Sequence, residues 1–406
     1  MIQIKDKKDC CGCSACVQKC PKQCISLIED DEGFLYPIVD KESCIDCGLC
    51  EKVCPVLHQG EPHKPLQVYA AKNKDEEIRR KSSSGGIFTL LAERTIQEGG
   101  VVFGARFDEH WEVRHDYTET VEGLAAFRGS KYVQSRMEDN YRKAEMFLKQ
   151  GRKVLFSGTP CQVAGLKRFL RKEYENLLTV DFICHGVPSP GVWRKYLKEI
   201  VARMCDKNSV STDPISMEDA HVESISFRDK SSGWQKYSFA LTLSATSRSG
   251  VKNTVSLCKI FPQNTFMKGF LADLYLRPSC YACAAKCGSS GSDMTIGDLW
   301  GAPAIIGNDD DDEGTSLILV NKDRCKFDAS VWLKEIDYQA AFVYNPAIER
   351  SARIPKKRAS FYADVNNAES LEELVNRLTR VSFAQKMLRL AKRIVRGIIR
   401  RILKRT

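Results

Sequence analysis

Cysteines are the residues of this 406-residue chain whose spacing says most about chemistry. Eight of the eighteen form two matching runs, Cys10-x2-Cys13-x2-Cys16-x3-Cys20-Pro21 and Cys44-x2-Cys47-x2-Cys50-x3-Cys54-Pro55. Two such runs are typical of chains that hold two 4Fe–4S clusters, because two-residue gaps let three thiolates of one turn reach three irons. A disulfide framework or zinc sites would also use cysteine, but neither requires this duplicated spacing. The pattern therefore predicts electron transfer.

The fourth cysteine of each run is expected to bind the cluster of the other run. One cluster is then predicted on Cys10, Cys13, Cys16 and Cys54, and the other on Cys44, Cys47, Cys50 and Cys20. Cys11 and Cys24 fit neither run, and we interpret them as non-ligands. The segment from Asp30 to Pro37 predicts a connecting hairpin with Gly33 at its turn.

A third metal site is predicted further along the chain. Cys280-x2-Cys283 supplies two thiolates, and two more are needed for a four-cysteine site. Cys161 and Cys184 each follow a predicted strand, at the sheet edge where ligands of α/β proteins collect; Cys287 is the local candidate. Zinc and a 4Fe–4S cluster both accept four cysteines. We favour a cluster because the chain already carries electrons.

Secondary-structure elements must hold these cysteines in place. After a polar linker at 59–65, the sequence pattern predicts strands that alternate with helices. Strands are predicted at 68–71, 101–105, 153–157 and 177–183, with further strands from residue 224 onward. Residues 81–86, Lys-Ser-Ser-Ser-Gly-Gly, connect a strand to a helix. Such a turn suits a phosphate group because free N–H groups face outward, although a plain helix cap explains it equally well.

Charge is concentrated at the end of the chain. The net charge is +10, but residues 377–406 contain eleven Lys or Arg and no acid, so the rest sums to about −1. A near-neutral globule with a basic tail does not suggest a nucleic-acid partner. The N-terminus has no apolar signal core and no run of about 18 apolar residues exists, which predicts a cytoplasmic protein.

The basic tail predicts an amphipathic helix. Its apolar residues recur at three- and four-residue spacing on one face, namely Phe383, Met387, Leu390, Ile394, Ile398 and Ile402. Lys and Arg occupy the opposite face, as in helices that lie on anionic membrane surfaces. We predict such peripheral contact with the inner membrane surface; packing on a partner or on the chain's own body is the alternative.

Four motifs occur in an order that resembles a known family. They are Ser83-Ser84-Gly85-Gly86, Gly158-Thr159-Pro160-Cys161-Gln162, Cys184-His185-Gly186-Val187-Pro188-Ser189, and Asp293-Met294-Thr295-Ile296-Gly297-Asp298-Leu299-Trp300-Gly301. Over roughly residues 1–345 the chain resembles the coenzyme F-420 hydrogenase/dehydrogenase beta-subunit family, in the bacterial branch with an N-terminal dicluster ferredoxin domain.

The resemblance implies a flavoprotein that holds FAD beside a 4Fe–4S cluster. By motif matching, Ser83, Ser84, Gly85 and Gly86 would contact FAD, with Lys131 and Thr159 as further candidates. Family relatives commonly lack a cysteine at position 287, which favours Cys161, Cys184, Cys280 and Cys283 as the third set of ligands. No catalytic residue is identified. His185 is a candidate proton donor, or it orients its own loop.

The predicted fold is a bacterial-type dicluster ferredoxin module, a mixed α/β flavin-binding core and a C-terminal amphipathic helix. The predicted boundaries are 1–60 for the ferredoxin module, 61–170 and 171–345 for the two parts of the core, 346–376 for a connecting segment and 377–406 for the helix. The predicted function is an oxidoreductase that passes electrons from ferredoxin, through three 4Fe–4S clusters and FAD, to a small organic substrate. Alternatives are a non-catalytic electron-transfer subunit or a reductase of the deazaflavin coenzyme F-420.

Overall fold

The structure, a computed structural model, describes residues 1–208, 219–246, 252–324 and 327–380. The predicted tail helix lies outside these residues, except for its first four positions. The N-terminal elements are α1 (Ala15–Lys19), β1 (Ile25–Glu29), β2 (Leu35–Val39) and α2 (Leu49–Lys52). Strands β1 and β2 form the predicted hairpin, paired from Ile25–Val39 to Glu29–Leu35. Gly33 has φ of +83°, a conformation that glycine adopts without strain.

The rest of the chain is an α/β core. In order, its elements are β3 (Gln67–Asn73), α3 (Glu76–Lys81), α4 (Ile87–Gln97), β4 (Val101–Phe107), β5 (Val113–Thr118), α5 (Asn140–Lys149), β6 (Val154–Gly158), α6 (Pro160–Leu170), β7 (Leu177–Phe182), α7 (Pro190–Asn208), β8 (His221–Asp229), β9 (Ser238–Thr246), β10 (Lys252–Ile260), α8 (Thr265–Leu271), β11 (Met294–Asp298), α9 (Ala302–Ile305), β12 (Ser316–Val320), β13 (Val331–Glu335), α10 (Tyr338–Tyr344), α11 (Arg358–Asp364) and α12 (Leu371–Thr379). The predicted strands and helices of the core all lie within or close to these bounds.

The main sheet has eight strands in the order β13-β3-β12-β11-β7-β6-β4-β5. The central neighbours β11, β7, β6 and β4 are parallel, and the remaining pairs are antiparallel. Strand β3 therefore runs in the same direction as the central four. The carboxyl ends of β3, β4, β6, β7 and β11 all lie at one edge, which is where ligands bind in open α/β sheets.

Helices cover both faces of this sheet. On one face α4 buries Ile87 and Leu91 against apolar side chains of β3, β4, β6 and β7. On the other face α5 and α6 pack against Phe103 and Phe156. The same cluster contains Cys13, Ala15 and Val53 of the N-terminal module. The module is therefore packed onto the layer that contains α6.

A second, three-stranded antiparallel sheet has the order β10-β9-β8. It packs with α7, α8, α11 and α12 around an aromatic cluster that includes Trp193, Phe227 and Phe266. Residues 346–376, predicted as a connecting segment, include α11 and most of α12, which contribute Phe361 and Leu374 to this cluster. In the part of the chain that the structure describes, no helix is long and apolar enough to cross a membrane.

Candidate functional site

The eight cysteines of the N-terminal runs lie together in one small module. Cys16, Cys20, Cys50 and Cys54 are buried in a cluster against which Cys44 packs. Burial, together with the nearby thiols of Cys10 and Cys54, raises the pKa of Cys16 to about 12. Cys13 is likewise close to Cys16 and Cys54. The structure thus brings Cys54 of the second run to the three cysteines that open the first run.

The two predicted cluster positions differ in their exposure. In one set Cys47 is exposed, Cys44 is half-buried, and Cys20 and Cys50 are buried; in the other set Cys10 is half-buried, and Cys13, Cys16 and Cys54 are buried. Cys20 lies 3.4 Å from Cys24 between sulfur atoms, and Cys24 is also close to Cys44. Cys24 is therefore a neighbour of the Cys20 and Cys44 thiols. The set that includes Cys47 reaches solvent through that residue, and the set that includes Cys13 lies against the core.

The four core cysteines come from three separate loops and line one cavity. Cys161 lies in the first turn of α6 after β6, and Cys184 follows β7, both at the carboxyl edge of the sheet. Cys280 and Cys283 belong to a short helical turn that begins at Pro278. The Val187 amide donates to the Cys280 sulfur at 3.4 Å, which joins two of these loops. The cavity encloses about 650 Å³ of empty space, counting the solvent at its mouth.

The closeness of these thiols to one another also changes their pKa values. Burial raises the pKa of Cys184, and the thiols of Cys280, Cys161 and Cys283 raise it further. Burial likewise raises the pKa of Cys280 to about 12. Such thiols stay protonated at neutral pH unless a metal replaces the proton. The donor set fits a four-thiolate metal site. Within the described residues, no group of three or more His, Cys, Asp or Glu side chains is already gathered around one point.

Cys11 connects the N-terminal module to this cavity, and its role was missed by the sequence analysis. Its thiol lies next to the thiols of Cys13 and Cys161, and the neighbouring Cys11 thiol, together with burial, raises the pKa of Cys161. A Cβ at Gly165 of α6 would lie 3.0 Å from the Cys13 sulfur. The absence of a side chain there permits the close approach of the module to α6. Spacing alone marks Cys11 only as an extra cysteine.

A buried hydrogen-bond chain supports the turn that carries Cys161. Gln162 accepts from the Thr159 amide at 2.9 Å and donates to the Ser135 hydroxyl at 2.9 Å. The ring of His115 contacts Ser135 at 2.9 Å and the Ser157 carbonyl at 3.0 Å. Burial lowers the pKa of His115 to about 4. The ring is therefore neutral, and the nitrogen facing the carbonyl must carry the proton.

Thr159, predicted to contact the cofactor, has a structural role in the described residues. Its side chain caps α6, with Gln162 completing a capping box. Its hydroxyl also lies 3.2 Å from the Cys161 sulfur. Any cofactor contact by Thr159 stays a prediction.

The residues 83–86 lie at the carboxyl edge, between α3 and α4, and much of their hydrogen bonding is internal. The Ser83 hydroxyl accepts from the Ser130 amide at 2.7 Å. Ser84 donates to the Thr315 carbonyl, and the Gly85 amide donates to the Ser316 hydroxyl. Gly86 has φ of +82° and ends the turn where α4 begins. The turn is at the expected edge, but its serine hydroxyls already have protein partners.

Residues from the second sheet hold this turn in place. Arg228 is buried, pairs with Asp298 at 2.9 Å and donates to the Ser83 carbonyl at 3.3 Å. The indole N–H of Trp234 donates to the same carbonyl at 3.0 Å, and Trp234 stacks on Trp300. The Nε atom of Arg228 is buried without a hydrogen-bond partner. Arg228 therefore connects the motif that contains Asp298 and Trp300 to the motif that contains Ser83, because it binds both Asp298 and the Ser83 carbonyl.

Lys131 lies near this turn, one residue after Ser130. Its ammonium donates to the carbonyls of Phe127, Arg128 and Gly129 at 3.1–3.3 Å. Burial lowers the pKa of Lys131 to about 7, whereas the three carbonyl contacts favour the charged form. A Cβ at Gly129 would meet nothing within 4 Å. The backbone of Gly129, two residues before Lys131, therefore borders open space.

Two remaining candidates, Cys287 and His185, have other partners than the four thiols. The Cys287 thiol faces the Glu349 carbonyl at 3.6 Å and lines a neighbouring cavity with Asp181 and Lys286. His185 lines the thiol cavity but pairs with Asp273 at 2.5 Å. This contact favours a role in orienting the loop after Cys184.

Comparisons with known proteins agree with the motifs. Residues 68–140 and 151–327 match the models for the N-terminal and C-terminal parts of the coenzyme F-420 hydrogenase/dehydrogenase beta subunit, and residues 9–57 match a 4Fe-4S dicluster domain. A comparison with curated proteins found no match. A chain of the F-420-reducing NiFe hydrogenase complex from Methanosarcina barkeri is 18% identical, with a TM-score of 0.42, over 71% of this chain and 90% of that one.

The dicluster module and the core define an iron–sulfur electron-transfer protein of an oxidoreductase family. The chain belongs to the coenzyme F-420 hydrogenase/dehydrogenase beta subunit family, with a 4Fe–4S dicluster domain at its N-terminus.

Proposed function

We propose that the protein is an iron–sulfur flavoprotein oxidoreductase that passes electrons from ferredoxin, or a similar donor protein, to a small organic substrate. The observation that supports this most is the shared cavity of Cys161, Cys184, Cys280 and Cys283, with Cys11 of the N-terminal module on its wall. These four thiolates would hold a third 4Fe–4S cluster. The cysteine thiols of the module and those of the core then lie on opposite sides of the interface between these two parts, which we call the seam.

The exposures of the N-terminal cysteines suggest an order for the electron route. The solvent-facing set with Cys47 is suited to a donor protein, since electrons must arrive where a partner can approach. The buried set with Cys13 adjoins α6 and the core cavity. We therefore propose that electrons pass from the outer set to the inner set and then to the core thiols; the route can run in reverse.

FAD, when bound, exchanges electrons either singly or in pairs, which links one-electron clusters to two-electron substrates. The residues proposed to hold it are Ser83, Ser84, Gly85, Gly86, Lys131 and Thr159. Support comes from the position of the 83–86 turn at the carboxyl edge, from the open space beside Gly129 and from the unpartnered Nε atom of Arg228. Since the serine hydroxyls are engaged, contacts through backbone N–H groups of α4 and through Lys131 are favoured.

Iron and sulfide analysis of anaerobically purified protein tests the third cluster. We expect about twelve irons per chain, and about eight in Cys280→Ser, because one core ligand is lost. Cys287→Ser is the matched control, since this thiol faces Glu349 in the neighbouring cavity, and it should keep the full iron content. About eight irons in the unmodified protein, or equal loss in both variants, would contradict the assignment.

Flavin content is tested separately by the absorbance spectrum of the same anaerobic protein. A flavin band that bleaches on reduction is expected in addition to the iron–sulfur absorbance. A spectrum with iron–sulfur features alone would count against FAD while leaving the clusters unaffected.

Two other functions remain as candidates because the family description names a beta subunit. One is an electron-transfer subunit that passes electrons to a partner enzyme, and the other is a reductase of coenzyme F-420. Reduction of a small molecule by the purified chain with dithionite or ferredoxin would favour an enzyme that acts alone. Activity only with the deazaflavin, or only after a partner is added, would favour one of the others.

We further propose a cytoplasmic location with peripheral contact to an anionic membrane surface through residues 377–406. The support is the charge pattern, with eleven cations and no acid in this segment. Each cation near such a surface contributes about 1 kcal/mol of binding free energy.

A further inference from the structure

One arginine is buried at the seam between the N-terminal module and the core. Arg277 is 1% exposed. Its guanidinium donates to the carbonyls of Cys10 at 2.7 Å and Leu35 at 2.9 Å, both in the module. It also donates to the Gln134 side chain in the core at 2.9 Å. The ring of Tyr36 lies 4.3 Å from the guanidinium carbon. Arg277 therefore joins the two parts by several directed contacts.

The same guanidinium contacts a predicted cluster ligand. Its Nη2 atom donates to the Cys10 sulfur at 3.5 Å. Gly12 allows this approach, because a Cβ there would lie 2.8 Å from Nη1 of Arg277. Along the chain, Arg277 precedes the turn that carries Cys280 and Cys283. One side chain is thus attached to the core ligand loop and donates to a ligand of the module.

The charge of Arg277 has no carboxylate partner within 4 Å among the ion pairs of the described residues. A buried cation is costly unless an anion compensates it. The anions that fit are the thiolates of the cysteine module, above all that of Cys10. A donor and a positive charge beside a cluster thiolate stabilise the reduced cluster, which is more negative by one charge.

We propose that Arg277 is a positioning residue that raises the reduction potential of the inner N-terminal cluster and fixes this cluster against the core ligand loop. The inference rests on the proposed function, since it concerns the cluster held by Cys10, Cys13, Cys16 and Cys54. One-electron reduction of that cluster would add one electron, supplied by the donor protein through the outer set of cysteines, and would break no bond. Loss of the guanidinium makes this reduction less favourable.

The test is an anaerobic redox titration of the full chain, followed by electron paramagnetic resonance. Arg277→Gln keeps a hydrogen-bond donor but removes the charge, and we expect the midpoint of one N-terminal cluster to fall. A tenfold change in the one-electron equilibrium corresponds to about 59 mV. Arg277→Lys keeps the charge but not the forked geometry, and it should shift the midpoint less. If Arg277→Gln does not fold, the midpoint potential measured for Arg277→Lys tests the proposal.

Arg358→Gln is the matched control at the same seam. Arg358 forms a forked ion pair with Glu32 of the module and donates to the Leu276 carbonyl at 3.1 Å. None of its contacts in the described residues is with a cysteine sulfur. Its loss should leave the cluster midpoints unchanged, although it weakens the docking of the module.

The outcomes separate this inference from the proposed function. An unchanged midpoint in Arg277 variants that retain full iron would overturn the inference alone. An equal shift in Arg277→Gln and Arg358→Gln would also overturn it, because docking rather than the sulfur contact would then set the potential. Unmodified protein that lacks iron in the N-terminal module would overturn both.

Discussion

Asp181, a single buried carboxyl on β7, makes stability depend on pH. It is 2% exposed; one oxygen accepts from the Ser290 hydroxyl at 2.6 Å, and the other has no partner. Burial raises its pKa from the ordinary 3.8 to about 6. The neutral acid favours the fold, so this contribution is complete below pH 3.8 and is lost as pH rises through about 6.

We therefore expect Asp181→Asn to stabilise the protein at pH 7.5 by up to about 3 kcal/mol, from about two pKa units at 1.36 kcal/mol each. At pH 5 the gain should fall to about half, because the buried acid is mostly protonated while the same carboxyl in the unfolded chain is already ionised. Thermal unfolding of the anaerobic protein at both pH values measures this difference. A gain of equal size at both values would show that the titration of Asp181 is not the cause.

The role of some residues of the candidate site could be predicted from the sequence, and the role of others could not. The eight cysteines of the N-terminal runs could be predicted because ligand spacing is local. Cys11 and Arg277 could not, since their partners are contributed by segments 123 to 267 residues away. His115 carried no local signal, because its role comes from Ser135 and Ser157 on other elements.

At the scale of elements, the 83–86 turn depends on a close backbone contact. A Cβ at Gly85 would lie 2.5 Å from the Ala71 carbonyl of β3 and 2.8 Å from the Ser316 amide of β12. Both neighbours are backbone atoms of paired strands and have little freedom to move. The turn therefore has room for glycine only at this position.

We expect Gly85→Ala to destabilise the protein by about 3 kcal/mol through overpacking and to reduce the content of the FAD that we propose at this turn. Gly307→Ala is the control, because a Cβ at Gly307 would meet nothing within 4 Å; its φ of +62° is unfavourable for alanine, so this variant should cost about 1 kcal/mol. Apparent melting temperatures and flavin absorbance of both variants provide the comparison. A loss in Gly85→Ala no larger than that in Gly307→Ala would contradict the argument that the contact with β3 and β12 sets the cost.

The parallel strands and their helices were predictable from apolar runs and turn residues, whereas the outer antiparallel pairs were not. The pairing of β13 with β3 joins segments far apart in sequence, and no local pattern specifies such a partner. Helix α12 had a usable signal, Ser370 three residues before Glu373, whose amide donates to the serine hydroxyl at 3.1 Å. Its burial in the aromatic cluster needed the tertiary structure.

At the scale of the whole molecule, the described structure shows where the basic tail can be removed. Helix α12 ends at Thr379, and its Leu374 and Val375 are buried. A deletion of residues 381–406 therefore leaves the aromatic cluster intact, whereas a deletion from residue 371 would expose it.

We expect the full chain to float with vesicles that contain anionic lipid and the deletion variant to remain unbound. Binding should weaken at high salt, because the attraction of the cations is screened, and it should be small with neutral vesicles. Flotation of both proteins at low and high salt is the measurement. Equal flotation of the two proteins would exclude the tail as the membrane contact.

The contact of Cys11 with Cys161 across the seam also has a consequence for how the proposed electron transfer depends on protein concentration. Because the cysteine module and the core are parts of one chain, the proposed electron transfer between them is intramolecular. The effective concentration of one part at the other is therefore set by the fold. Its rate should therefore be first order and the same in a crowded cell and a dilute cuvette. In the proposed route, only the encounter with an external donor, on the side of Cys47, would depend on the abundance of another protein. Throughput would then be controlled by supply of that donor.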